Sequence, residues 1–290
     1  MPIPERKLEI WTHQGAISTA KLTHESIREA LNSCGCPDGI QFEIYLQGSY
    51  KNTTNIRGNS DVDVVLQLNT SFLNNLSEDL KKAFGFVRAN YTWHDFHSDV
   101  LNALRQHYGS SNVTVGRKSL KVQTQYLPAD VVVSLQYRKY PEYPESVNDF
   151  VEGIAFWADP RWIVNYPKLH WENGVAKNKR TRGLYKRIVR MFKNARSHLE
   201  TIERIPKDLA PSYFLECFVY NVPEERFVGS LQEVYVNVLD HWVTAISNNY
   251  ESLLCQNEQL PLFGEAPEQW SVDKAVELIR ALTELWKTWG

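Results

Sequence analysis

The sequence predicts an α+β protein, a sheet with helices against it followed by a helical lobe, and three observations predict it. Short runs rich in Val, Ile, Leu and Tyr, bounded by Gly, Asn or Pro, recur up to Tyr137. Beyond the proline-rich turn KYPEYPES, Lys139 to Ser146, apolar residues fall at helical spacing instead. Between these, LQGSYKNTTNIRGNSDVDVVLQL, Leu46 to Leu68, ends one apolar run with Gly-Ser and opens the next with Asp-Val-Asp. The chain therefore divides into a core at 1–146 and a mostly helical part at 147–290.

In order, Leu22 to Asn32 reads as a first helix, and Phe42 to Gln47 and Val62 to Leu68 as strands. A helix follows from Asp95 to His107, where Val100, Leu101 and Leu104 keep helical spacing until Gly109-Ser110-Ser111 ends it. Ser119 to Gln125 and Asp130 to Tyr137 are further strands. In the second half Leu184, Ile188, Phe192, Ala195 and Leu199 form an apolar stripe on one long helix, with Lys186, Arg190 and Lys193 on another face. Leu231, Val234, Tyr235, Val238, Trp242 and Ile246 mark another helix. Ala275, Leu278, Ile279, Leu282, Leu285 and Trp286 mark the last, with Ser271 as its N-cap.

The 290 residues, 43% hydrophobic and 23% charged, are ordinary for a globular chain with a real core. MPIPERKLEIWTHQG lacks the pattern of a signal peptide, and no apolar stretch approaches the roughly 20 residues of a membrane span. No membrane partner and a cytoplasmic location are expected. Four cysteines, Cys34, Cys36, Cys217 and Cys255, make no disulfide framework at this size and read as free thiols, and no further ligands near Cys34 and Cys36 complete a zinc site. The net charge of −2 hides a basic run. From Asn173 to Leu199 there is no acid, while nine of the 32 Lys and Arg fall there, from Lys177 to Arg196. Such a run is either a solvated helix face or a polyanion site.

In a strand Asp61 and Asp63 project to one face with Cα atoms roughly 6.5 to 7 Å apart, where like charges repel unless a cation lies between them. Carboxylates are the preferred ligands of Mg²⁺, and a pair of metal ions needs them at this kind of spacing. Asp130, in LPADVVVSL, offers a third acid at the mouth of an apolar strand, unless it is merely a turn residue. Gly48 lets the backbone approach a ligand, and Ser49 adds a hydroxyl.

GSYKNTTNIRGNSDVD with the distal ADVVV resembles the polymerase-beta-like nucleotidyltransferases, and among them the bacterial cGAS/DncV-like nucleotidyltransferases (CD-NTases) of antiphage defence. Gly153 to Thr181 is similar to the lid of the pyrimidine-using branch, and LYKRIVRMFKNARSHL with APSYFLECFVYNVP to its helical lobe, so the resemblance covers about Gln41 to Pro223. It implies a mixed sheet with flanking helices and an oligoadenylate-synthase-like helical lobe, two lobes around an active-site cleft. It also implies that Asp61, Asp63 and Asp130 hold two Mg²⁺ ions, with Mn²⁺ able to substitute, Asp130 also helping to deprotonate the attacking hydroxyl. Gly48 and Ser49 would meet the donor triphosphate, Lys193 and Ser212 its β and γ phosphates. The strand after Asp130 continues VVVSLQY where many relatives have a proline, which leaves its course open.

Asn165, in the lid, can donate and accept at once, matching a uracil or cytosine edge, or it caps a turn before Pro167. Tyr166, Trp157 and Trp162 either stack on a base or pack, and His94 and His97 read as surface or capping residues. The resemblance implies a synthase of a cyclic di- or trinucleotide from NTPs, ATP and UTP, whose product a downstream effector senses in CBASS signalling. No stable nucleic-acid partner is expected. Competing readings are a nucleotidyltransferase acting on RNA or a protein acceptor, and a non-catalytic nucleotide-binding relative.

Overall fold

A computed structural model describes residues 1–15, 18–32, 34–56 and 61–289. The elements in chain order are α1 (Glu5–Thr12), α2 (Ser18–Leu31), β1 (Phe42–Leu46), α3 (Gly48–Asn52), β2 (Val62–Asn74), α4 (Glu78–Ala83) and α5 (Trp93–Tyr108). Then come β3 (Val113–Val115), β4 (Leu120–Val122), β5 (Ala129–Lys139), β6 (Val151–Ala158) and β7 (Arg161–Asn165). The helices α6 (Pro167–Arg180), α7 (Leu184–Thr201), α8 (Ser212–Tyr220), α9 (Leu231–Asn249) and α10 (Val272–Lys287) follow. No helix among the described residues is long and apolar enough to cross a membrane.

Two compact units divide the chain at other points than residue 146. One comprises Ala16–Lys51 and Asn59–Lys168, the other Met1–Gly15, Asn52–Gly58 and Leu169–Gly290. The stretch after Ser146 stays with the sheet because β6 pairs with β5, and β7 with β6.

The sheet unit is a mixed sheet in the order β1-β2-β5-β4-β3, with β6 and β7 continuing from β5. β2 and β5 are parallel, and the other pairs are antiparallel. Alternation sorts its residues by face. Val62, Val64, Leu66 and Leu68 of β2 with Val131, Val133 and Leu135 of β5 share one core with Ile27 and Leu31 of α2 and Phe96, Val100 and Leu104 of α5. Val65 and Val132 belong to a smaller cluster with Ile154, Phe156 and Ile163 on the second face. A capping box sets the start of α5: the Thr92 side chain accepts from Asp95 N, and the Asp95 carboxylate accepts from Thr92 N at 2.8 Å. Trp93 Nε1 then donates to Val133 O at 2.8 Å, fastening α5 to the sheet.

In the helical unit α7 is central. Ile188, Val189, Met191, Phe192, Ala195 and Leu199 are buried, and Phe192 stacks on Tyr235 of α9 at 4.9 Å. Phe218 of α8 stacks on Trp242 of α9 at 4.3 Å. Ser230 and Glu233 form the capping box of α9. Ser271 stands at the N-cap of α10, but its side chain makes no cap bond.

Several expectations are corrected. The first helix of the sheet unit begins at Ser18 rather than Leu22, and α1 precedes it. β2 runs past Leu68 to Asn74 through a register shift. β5 continues straight to Lys139. Cys34 and Cys36 are joined as a disulfide across a Cα separation of 5.3 Å, within ordinary disulfide reach, whereas Cys217 and Cys255 are free.

Candidate active site

The carboxylates are gathered by strand pairing. Asp63 and Asp130 are direct register partners in the parallel β2–β5 pair. Both alternate away from the face that α2 and α5 cover, one step before Val65 and Val132. Asp61 lies just ahead of β2, and Arg57 to Ser60 are outside the described residues. Burial and then the Asp130 charge push the Asp61 carboxyl above its usual range, with Lys121 acting the other way. Lys121 is the register partner of Asp130 on β4, and Ser119 Oγ donates to Asp130 Oδ1 at 3.1 Å.

Gly48 completes this edge. Its φ of +64° is one that a side chain resists, and a Cβ there would overlap Asp63 Oδ2 and lie 2.9 Å from Asp63 Cγ. Gln47 N donates to Asp63 O at 2.9 Å, so the turn between β1 and α3 is laid against β2 at Asp63. Gly48, Ser49, Asp61, Asp63 and Asp130 therefore belong to one unit, the first two at the start of the one-turn helix α3.

Three oxygen-ligand acids at one sheet edge, with burial and then the Asp130 charge making Asp61 harder to ionise, suit a hard divalent cation. Among the described residues no three His, Cys, Asp or Glu side chains are already drawn up as a metal cage. The fit rests on the donor chemistry and on the Asp61 carboxyl, which burial and the Asp130 charge make hard to ionise without a cation.

Asn165 ends β7 opposite Ile154, and its Oδ1 accepts from Tyr166 N at 2.8 Å, the turn-capping role foreseen for it. Tyr166 is buried. Trp157 and Trp162 are register partners with rings 5.7 Å apart, and Trp162 meets Trp93 at 5.8 Å, so these aromatics pack. His97 lies against Trp93 at 4.8 Å.

Lys193 and Ser212 belong to the helical unit. Ser212 opens α8, exposed, with Arg196 Nη2 at 3.4 Å from its hydroxyl. Lys193 is buried: Nζ donates to Glu216 Oε2 at 2.8 Å and to Thr54 Oγ1 at 3.2 Å. The basic run is largely consumed inside this unit. Lys177 donates to Val222 O at 2.7 Å, Arg190 to Thr12 O at 2.6 Å and Arg196 to Ala210 O at 2.6 Å, while Arg180 and Arg187 pair with Glu224 and Glu9. A helix packed on several sides spends its cations on neighbouring carbonyls and acids: on the basic face of α7, Arg190 reaches Thr53 O and Lys193 reaches Thr54 Oγ1. Ser119, Lys121 and Glu216 escaped the sequence reading. Glu216 had a signal, being the lone charge in the apolar SYFLECFVY.

Residues 172–287 match the cGAS/DncV-like nucleotidyltransferase C-terminal helical domain. The cyclic UMP-AMP synthase of Rhodothermus marinus (strain SG0.5JP17-172) is 56% identical over 293 residues, spanning 100% of both chains. The chain belongs to the cGAS/DncV-like nucleotidyltransferases. It is thus an enzyme, a nucleotidyltransferase of the cyclic-nucleotide-synthase kind. Cyclic nucleotide synthase CdnE01 of Staphylococcus haemolyticus is 38% identical over 300 residues, again 100% of both chains. The solved structure of Rhodothermus marinus CdnE c-UMP-AMP synthase with Apcpp and Upnpp superposes on this CD-NTase with a TM-score of 0.94 at 55% identity, covering 100% of this chain and 98% of that one.

Proposed function

We propose that the chain joins UTP and ATP into cyclic UMP-AMP, in the cytoplasm, as the messenger-making step of CBASS antiphage signalling. The choice of bases is carried over from the Rhodothermus marinus synthase, matched end to end at 56% identity. The observation that carries the chemistry is the in-register pair Asp63–Asp130 with Gly48 against it.

A ribose hydroxyl of one nucleotide attacks the α-phosphorus of the other, in line with the departing pyrophosphate. Asp130, steadied by Ser119, receives the hydroxyl proton. Asp61, Asp63 and Asp130 would hold two divalent cations, Mg²⁺ with Mn²⁺ able to substitute, which would make the hydroxyl more acidic and offset charge on the leaving oxygens. Ser49 donates to the donor triphosphate, and Lys193 and Ser212 take its β and γ oxygens. Asn165 reads the pyrimidine edge through Nδ2 and the second lone pair of Oδ1. The linear intermediate then turns and repeats the step at its other end, releasing a second pyrophosphate. An effector protein that senses the ring would act downstream.

The test supplies Mg²⁺ and four NTPs, each labelled in turn at the α-phosphate, and reads phosphatase-resistant products by chromatography and mass spectrometry. A resistant product carrying label from both UTP and ATP, absent from Asp61→Ala/Asp63→Ala protein, is expected. Undiminished product from that variant would overturn the site, and a product lacking uridine would overturn the bases.

A further inference from the structure

We propose that Glu216 is the positioning residue that presents Lys193 to the nucleotide triphosphate, an inference that rests on reading Lys193 as a phosphate-gripping residue. Both side chains are almost fully enclosed, 3% exposed for Lys193 and 4% for Glu216. An ammonium has three protons to give. Here they go to Glu216 Oε2 at 2.8 Å, Thr54 Oγ1 at 3.2 Å and Thr54 O at 3.4 Å.

The three bonds are unequal. Lys193 is held firmly only by Glu216, and its two long bonds to Thr54 are the ones a phosphate oxygen can replace without breaking the ion pair. Glu216 is itself fixed from other sides. Thr54 Oγ1 donates to Oε2 at 2.7 Å, and Oε1 faces His170 Nε2 at 3.3 Å, the His170 ring in turn stacked on Tyr213 at 5.2 Å. The carboxylate thus stays put while the ammonium changes partners.

Its chain connections lead to the proposed nucleotide contacts. Thr54 follows Ser49 by five residues and His170 follows Asn165 by five. Stability alone gives no reason for an acid here, since apolar replacements of buried ion pairs are often neutral or better. A role in keeping a buried cation charged and aimed does.

The experiment measures kcat and KM for each NTP, with melting temperature, in wild type, Lys193→Ala, Glu216→Gln and the double variant. Lys193→Ala and Glu216→Gln are each expected to raise KM about tenfold or more with kcat within about threefold, and the double variant to match Lys193→Ala within about twofold. A purely structural carboxylate would instead lower kcat and leave KM near wild type, with an effect that multiplies that of Lys193→Ala, the loss of melting temperature being common to both roles. Glu216→Asp, which keeps the charge one methylene short, is expected to fall between wild type and Glu216→Gln, and provides the readout should the Gln variant not fold. An unchanged KM in Lys193→Ala would overturn the phosphate reading together with this inference. A raised KM in Lys193→Ala with normal KM in the Glu216 variants, or multiplying effects, would overturn the inference alone.

Discussion

Replacing Gly48 with alanine tests the geometry of the acid cluster without touching a carboxylate. The new methyl would overlap Asp63 Oδ2 and lie 2.9 Å from Cγ, whereas ordinary contact begins at 3.4 Å, so Cγ recedes by about half an ångström and Oδ2 by more. Asp63 cannot yield by sliding its strand, because its carbonyl accepts from Gln47 N and its neighbours are paired to β1 and β5. The carboxylate itself must rotate. A displacement of about 1 Å at a reacting centre costs on the order of 100-fold in rate. The positive φ adds about 1–2 kcal/mol of strain, a fall of roughly 2–8 °C in melting temperature. Steady-state cyclase assays and thermal melts on Gly48→Ala should show kcat down by about 100-fold with the fold retained. A variant keeping more than about a tenth of wild-type kcat would refute the claim that Gly48 sets the position of Asp63.

Two other outcomes follow. Burial raises the cost of ionising Glu216, but the Lys193 charge and the His170 and Lys193 hydrogen bonds outweigh it and hold the carboxyl well below the usual range. A depressed folded-state pKa gives stability present above the unfolded value near 4.5 and lost as pH falls through the folded value. The melting-temperature advantage of wild type over Glu216→Gln should therefore be constant from pH 7 to about 5 and shrink below that; a constant gap down to pH 3 would contradict the pairing. Asn165→Ala should lower UTP use relative to GTP by about tenfold, the worth of one or two hydrogen bonds. An unchanged ratio in an NTP competition assay would leave Asn165 only its cap on Tyr166 N.

The edge that gathers the acids was legible because its signals are local. Asp-x-Asp at the mouth of an apolar strand and a Gly-Ser turn state their geometry within a few residues, and β1, β2 and β5 begin within a residue of where alternation puts them. β6 and β7 were not legible: in VEGIAFWA, Glu152 and Gly153 break the start and a short apolar run, Ile154 to Ala158, follows, which periodicity cannot assign to a helix or a strand. The fate of the basic run was hidden for a different reason. Charge counting sees nine cations in a stretch free of acids, yet apart from Glu200, four residues beyond Arg196, the partners named, Glu9, Glu216, Glu224 and the carbonyls of Thr12, Ala210 and Val222, come from distant segments. Only tertiary structure brings such partners up.

The hydrophobic core also enforces the alignment of the acids. Val62, Val64, Val131 and Val133 are fully or almost fully buried, and Asp63 and Asp130 alternate with them. A slip of one residue in either strand would turn its acid into the core beneath α2 and α5 and its valines out. Each exposed valine would forfeit about 1.5–3 kcal/mol, and an unpaired carboxylate in that core would cost several more. The register shift within β2 falls between Leu68 and Phe72, beyond the stretch that matters, so the Asp63–Asp130 alignment stays regular. Sequence changes that loosen the valine core should therefore reduce catalysis before they unfold the sheet, because the same apolar burial that stabilises β2 against β5 holds the two carboxylates face to face.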